Sequence, residues 1–154
     1  MTETSATRGM NRDRASEILD RVRFDDKGLL TTVVQQWDTK EVLMVGWMDR
    51  EAFLRTMTEG RVTFWSRSRQ EYWRKGDTSG HVQYVRGAAL DCDGDTLLVR
   101  VEQIGAACHT GTRTCFDTDL LDPVVLELGS ADRTAADRAV DPAIGTGAGA
   151  GSTE

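Results

Sequence analysis

Short runs rich in Val, Leu, Thr and Trp, cut apart by turn residues, dominate the chain from Leu29 to Ile104. Leu29 to Trp37 and Val42 to Trp47 flank Asp38-Thr39-Lys40-Glu41 and read as an antiparallel hairpin. Arg61 to Ser66 and Glu71 to Arg74 read as a second pair across a polar turn. Val82 to Leu90 and Thr96 to Ile104 read as a third, joined through Asp91-Cys92-Asp93-Gly94-Asp95. One good helix interrupts the strands: Asp49 is placed to cap it, Ala52, Phe53 and Met57 form its inner face, and Gly60 stops it near Glu59. Ala15, Ile18, Leu19 and Val22 give a shorter amphipathic helix from Ala15 to Val22. The pattern predicts an α+β fold, β-rich, with mostly antiparallel strands and one or two helices. About seven short strands and one good helix make a modest core, which leaves room for burial at a subunit interface.

The ends differ from this body. Residues 1–14 are expected to be a disordered arm, 15–128 a single domain, and 129–154 a disordered acidic tail rich in Gly and Ala, with Asp119 to Leu128 as a short edge element. The formal charge of −6 belongs to the C-terminal end: Asp117 to Glu154 holds eight acidic and two basic residues, so residues 1–116 are neutral. Within that neutral body Arg61 to Arg86 carries six basic and two acidic residues, which marks it for an anionic ligand or a solvated face. The cluster is too small and too mixed for a nucleic-acid footprint. No apolar stretch is long enough to span a membrane, and the N-terminal residues carry no apolar leader, so a cytoplasmic location is expected.

Three cysteines, Cys92, Cys108 and Cys115, fall within a short stretch and form no paired knuckle. A closed structural zinc site takes four protein ligands, whereas three thiolates leave one position open for water, whose pKa the metal lowers. Small buried thiols are the other reading. Gly105, Ala106, Ala107 and Gly111 place Cys108 on a loop and not in an apolar strand, and His109 follows it directly. If the chain is extended there, Asp91, Asp93 and Asp95 share one side, with Cys92 on the other. Their mutual repulsion calls for a hard cation such as magnesium or for full solvation at a hairpin tip.

Several runs together resemble the phosphoribosyl-AMP cyclohydrolases of histidine biosynthesis. They are Asp91-Cys92-Asp93-Gly94-Asp95-Thr96-Leu97-Leu98, Gly105-Ala106-Ala107-Cys108-His109-Thr110-Gly111 and Cys115-Phe116. Phe64-Trp65-Ser66-Arg67-Ser68-Arg69, Tyr72-Trp73-Arg74-Lys75-Gly76 and Thr78-Ser79-Gly80-His81 belong to the same likeness, as do Val45-Gly46-Trp47-Met48 and Phe24-Asp25. The resemblance spans residues 24–116 and shows no departure at a motif position; the C-terminal remainder is too short and polar for a fused second enzyme.

The resemblance implies an intertwined homodimer with Zn2+ sites shared between chains, Cys92 from one subunit meeting Cys108 and Cys115 of the other. It implies Mg2+ at Asp91, Asp93 and Asp95. The reaction it implies opens the adenine ring of phosphoribosyl-AMP at the N1–C6 bond, with His109 as the proton-transfer group. For the phosphorylated nucleotide the candidate contacts are Trp65, Ser66, Arg67, Ser68, Arg69, Lys75, Thr78, Ser79, Gly80 and His81, with Arg74 a further cation of the same run. A zinc-stabilised nucleotide-binding module without catalysis, or a zinc hydrolase of another nucleotide, are the competing expectations.

Overall fold

The computed structural model describes residues 9–127 and 129–139. The chain divides after Leu120 into two units. In the first, the elements run α1 (Arg12–Leu19), β1 (Leu30–Gln36), β2 (Val42–Met48), α2 (Arg50–Glu59), β3 (Thr63–Ser66), β4 (Glu71–Arg74), β5 (Gln83–Leu90) and β6 (Thr96–Gln103). They form a four-stranded sheet in the order β2-β1-β6-β5 and a two-stranded sheet of β3 and β4. The fold class is α+β, as the sequence pattern implies. None of the described helices is long and apolar enough to cross a membrane.

The three hairpins read from the sequence are present, and each pairs antiparallel. The strands are mostly antiparallel, as expected, with one parallel pairing. β1 and β6 pair in parallel, Thr31 opposite Thr96 through Gln36 opposite Val101, so the main sheet is mixed. β6 thereby becomes an interior strand, and its Leu97, Val99 and Val101 are buried. The core closes over them with Leu30 and Val34 of β1, Leu43, Met44 and Met48 of β2, Phe53 of α2 and Phe64 of β3.

Local chemistry sets the helix bounds. The Asp49 side chain accepts the Ala52 N–H at 2.8 Å, and Gly60 ends α2 in the left-handed region at φ 75°. The N-terminal helix starts earlier than its apolar spacing implies. Asn11 caps it through the Arg14 N–H, so Arg12 to Arg14 are helical and not part of a disordered arm; residues 1–8 lie outside the described residues. It also ends at Leu19, before Val22. Among the described residues, 119–127 form no strand: Leu120, Leu121, Val124, Val125 and Leu126 are exposed and no neighbouring strand pairs with them. In the second unit, the expected disordered tail contains α3 (Ser130–Arg138). Alanines favour it, with Asp132 in its first turn and Arg138 in its last to complement the helix dipole. Residues 140–154 of the expected tail lie outside the described residues.

Tyr72 and Phe64 help to join the small sheet to the rest. The Tyr72 hydroxyl donates to Asp49 Oδ2 at 2.7 Å, and the Arg55 guanidinium lies 4.3 Å from the Tyr72 ring centroid. Phe64 packs against Gly46, where a Cβ would meet the ring at 2.6 Å. Gly46→Ala is therefore expected to destabilise the fold by about 1–3 kcal/mol through overpacking, read from urea unfolding; an unchanged midpoint would contradict this packing. Burial, then the Asp49 hydrogen bond and charge, push the Tyr72 pKa from 10.0 up to about 12. The fold favours neutral tyrosine, so this stabilisation is complete below pH 10 and is lost as pH rises through 12. Tyr72→Phe is expected to give a shallower loss of unfolding free energy across that window than the wild type; identical slopes would contradict it.

Candidate active site

The two motif clusters sit at opposite ends of β6. Before it, the β5–β6 connection is a tight turn, the hairpin tip of the two readings, and not an extended segment. Asp91 Oδ1 accepts the N–H groups of Asp95 (3.0 Å) and Thr96 (3.3 Å), and Gly94 takes φ 77°. A side chain at Gly94 would collide with the Arg21 carbonyl, and the Arg23 N–H donates to the Gly94 carbonyl at 2.8 Å. The turn thus rests on the segment that leaves α1. It still gathers the three carboxylates: Asp91, Asp93 and Asp95 each offer an oxygen within 4.8 Å of the others, all on exposed residues. Burial pushes Asp91 up, but hydrogen bonds from Asp95 and the Thr96 N–H outweigh it and leave its pKa lowered. Asp95 is raised by its hydrogen bonds with Asp91 and Asp93. A cluster that resists full ionisation on its own suits a hard divalent cation with oxygen ligands. Cys92, in the same turn, is exposed and lines a cavity with Asp91, Asp93 and Met57.

After β6, residues 105–115 form a compact loop. The Ala107 N–H donates to the Arg113 carbonyl (3.0 Å), Cys108 N–H to Thr112 (3.2 Å), and Gly111 N–H to Cys108 (3.0 Å). The Cys115 N–H donates to the Leu43 carbonyl of β2 at 2.8 Å, which anchors the second thiol to the main sheet. Hydrogen bonding from Thr110, whose Oγ1 lies 3.0 Å from Sγ, lowers the Cys108 pKa. Burial raises that of Cys115, and the Cys108 charge raises it further. Both line a cavity of about 340 Å3 with Lys75, Thr78, Ser79, His81 and His109. His81 is held close to the loop, since any side chain at Gly105 would collide with its ring. His109 is exposed at the same cavity.

β6 separates Cys92 from this thiol pair. Eight residues span it, about 25 Å at strand rise, and among the described residues the three sulfurs form no common cluster that could hold one ion. The basic run is also divided. Trp65, Ser66, Arg67, Ser68 and Arg69 line a different cavity, of about 560 Å3, at the β3–β4 hairpin with Lys27 and Trp47. Arg67 stacks 3.4 Å from the Trp47 ring centroid, and Arg69 lies 3.4 Å from Glu71. Arg74 pairs with Asp77 at 2.9 Å. Gly80, at φ 75°, shapes the turn before His81. Lys75 is buried, with its ammonium on the Ala107 carbonyl at 2.7 Å.

The phosphoribosyl-AMP cyclohydrolase family model matches residues 44–117, a span that contains both clusters. A phosphoribosyl-AMP cyclohydrolase of Leifsonia xyli subsp. xyli is 71% identical over 121 residues, 79% of this chain and 94% of the relative. That of Clavibacter sepedonicus is 71% identical over 115 residues, covering 75% and 83% of the two chains. That of Streptomyces coelicolor is 67% identical over 107 residues, covering 70% and 84%.

This chain belongs to the phosphoribosyl-AMP cyclohydrolase family. It is an enzyme of that family, with the cysteine loop, both histidines and the acidic turn inside the matched span.

Some residues of the site lie outside the expected substrate contacts. Lys27 and Trp47 enter the hairpin cavity from outside the basic run. Gln103, nearly fully buried, spans the cysteine loop: its side-chain amide donates to the Gly105 carbonyl (3.1 Å) and the Arg113 carbonyl (3.0 Å). A glutamine at a strand end looks like ordinary surface polarity. The acidic turn makes a separable expectation. Asp91→Asn keeps the Oδ1 acceptor and should leave the melting temperature near that of the wild type. Asp91→Ala removes it and should lower the melting temperature; equal values for both variants would show that this side chain does not hold the turn.

Proposed function

We propose that this chain adds water to C6 of the adenine ring of phosphoribosyl-AMP and breaks the N1–C6 bond, a step of L-histidine biosynthesis. The exocyclic amine stays on C6 as the carboxamide. N1 departs with its ribosyl phosphate as part of the formimino group, so the product is the substrate plus one water. The observation that carries this reading is the cavity after β6, where two thiols and two histidines meet, in a chain so close to relatives of that name.

The donor set fits a pair of metals. Cys108 and Cys115, joined by Cys92 of a second copy, would hold zinc, and Asp91, Asp93 and Asp95 would hold magnesium. Zinc, when bound, supplies a Lewis acid that makes water nucleophilic near neutral pH. The length of β6, roughly 25 Å at strand rise, between the turn that holds Cys92 and the loop that holds the thiol pair supports sharing the site between two chains, a homodimer. It also supports a magnesium site beside each zinc site, since Cys92 and the aspartates occupy one turn.

The chain's own groups do the rest. His109, adjacent to Cys108 and open to the cavity, moves a proton to the departing N1. His81, fixed against Gly105, lines the opposite loop and orients the base. The hydroxyls of Thr78 and Ser79 donate to the nucleotide at the cavity edge. Arg67 and Arg69, with Lys27, offer a cationic pocket for phosphate, and Arg67 is preset by stacking on Trp47.

Ring opening is followed by ultraviolet absorbance on purified protein, with and without a chelator. Wild type is expected to turn over and to lose activity on chelation. Cys92→Ser, Cys108→Ser and Cys115→Ser are each expected to abolish turnover and lower bound zinc. Full zinc content with normal turnover in any one of them would overturn the ligand assignment, and zinc binding without any ring opening would identify a binding module instead.

A further inference from the structure

Lys75 is 6% exposed, which is unusual for a lysine. Its backbone is pinned on both sides: the Lys75 N–H donates to the Val62 carbonyl at 2.9 Å, and the Arg61 guanidinium donates to the Lys75 carbonyl at 3.0 Å. Its one side-chain hydrogen bond goes to the carbonyl of Ala107, the residue before Cys108. The Trp73 ring centroid lies 5.3 Å from Nζ. Burial lowers the Lys75 pKa, and the neighbouring Cys115 and Cys108 act against that. No carboxylate is its partner among the described residues. A buried ammonium without an anion is costly, and thiolates formed when a metal binds are the groups beside it that would balance it.

The geometry points to Lys75 as a positioning residue that holds the Cys108 loop by its carbonyl and neutralises the thiolate zinc centre. Resting on the zinc reading above, this role follows from charge. A divalent zinc ion with three thiolates carries one net negative charge, and one fixed cation beside it leaves the site neutral. Loading zinc onto protonated thiols changes the site from neutral to anionic, and a resident cation favours that change. Lys75 therefore serves the metal centre, whereas the charge of the surrounding run by itself assigns it to phosphate.

The test is zinc affinity of the purified full-length protein, measured with zinc alone in competition with a chromophoric chelator. Circular dichroism checks the fold of each variant. Lys75→Met keeps the apolar stem, Lys75→Gln keeps a donor for Ala107 without the charge, and Lys75→Arg keeps the charge. Lys75→Met and Lys75→Gln are expected to weaken zinc binding by about 10- to 100-fold, with Lys75→Arg within a few-fold of wild type. Wild-type affinity in Lys75→Gln would overturn the charge role and leave only the loop contact. Wild-type affinity in Lys75→Met with a raised KM would overturn both and return Lys75 to substrate binding. If Lys75→Arg does not fold, the Gln and Met variants decide alone. A wild-type chain that binds no zinc would instead remove the zinc reading itself, an outcome distinct from equal affinities across the series.

Discussion

Strand β6 is held between a parallel partner, β1, and an antiparallel one, β5, with Leu97, Val99 and Val101 sealed into the core. Both the acidic turn and the cysteine loop are placed by that arrangement. The backbone enters β6 from the acidic turn and leaves it into the cysteine loop, so the length of one strand fixes the separation of the two clusters. Each cluster is then tied to a different neighbour. The acidic turn is fastened to the end of α1 through Gly94 and Arg23, and the cysteine loop to β2 through Cys115 and Leu43. A rigid spacer with a partial ligand set at either end is an arrangement that a second copy can complete.

Buried polar groups hold the cysteine loop where a small core cannot. Gln103 reaches carbonyls at both ends of the loop, and Gln83 in turn donates to Gln103 Oε1 at 3.0 Å. Lys75 takes the carbonyl next to Cys108. These side chains come from β4's end, β5 and β6, so both sheets contribute to one loop. Removing a buried donor here strands carbonyls away from water, and the first effect falls on thiol geometry, ahead of the distant core.

Much of this was legible in the sequence, for local reasons. Hairpins announce themselves through apolar runs and turn residues, and α2 through Asp49 and Gly60. The parallel pairing of β1 with β6 leaves no such mark, because it joins segments far apart in the chain and neither strand changes its own pattern. The acidic residues were legible as a cluster at a hairpin tip, but not the local hydrogen bonding that tightens it: Asp91 accepts two backbone N–H groups. Lys75 looks like a surface cation in a basic run until its burial is seen. The helix within 130–138 was hidden by the surrounding Gly-rich composition, although its own alanines favour it.

The central claim is that the proposed zinc site is complete only when two chains meet. Mixing two inactive variants tests it most directly. In a heterodimer of Cys92→Ser and Cys108→Ser chains, one shared site lacks both thiols and the other is wholly wild type. Random subunit exchange after refolding the two together makes about half of the dimers mixed, so roughly a quarter of wild-type ring-opening activity is expected to return. Confirmed subunit exchange with no return of activity would place the metal ligands within single chains and contradict the account.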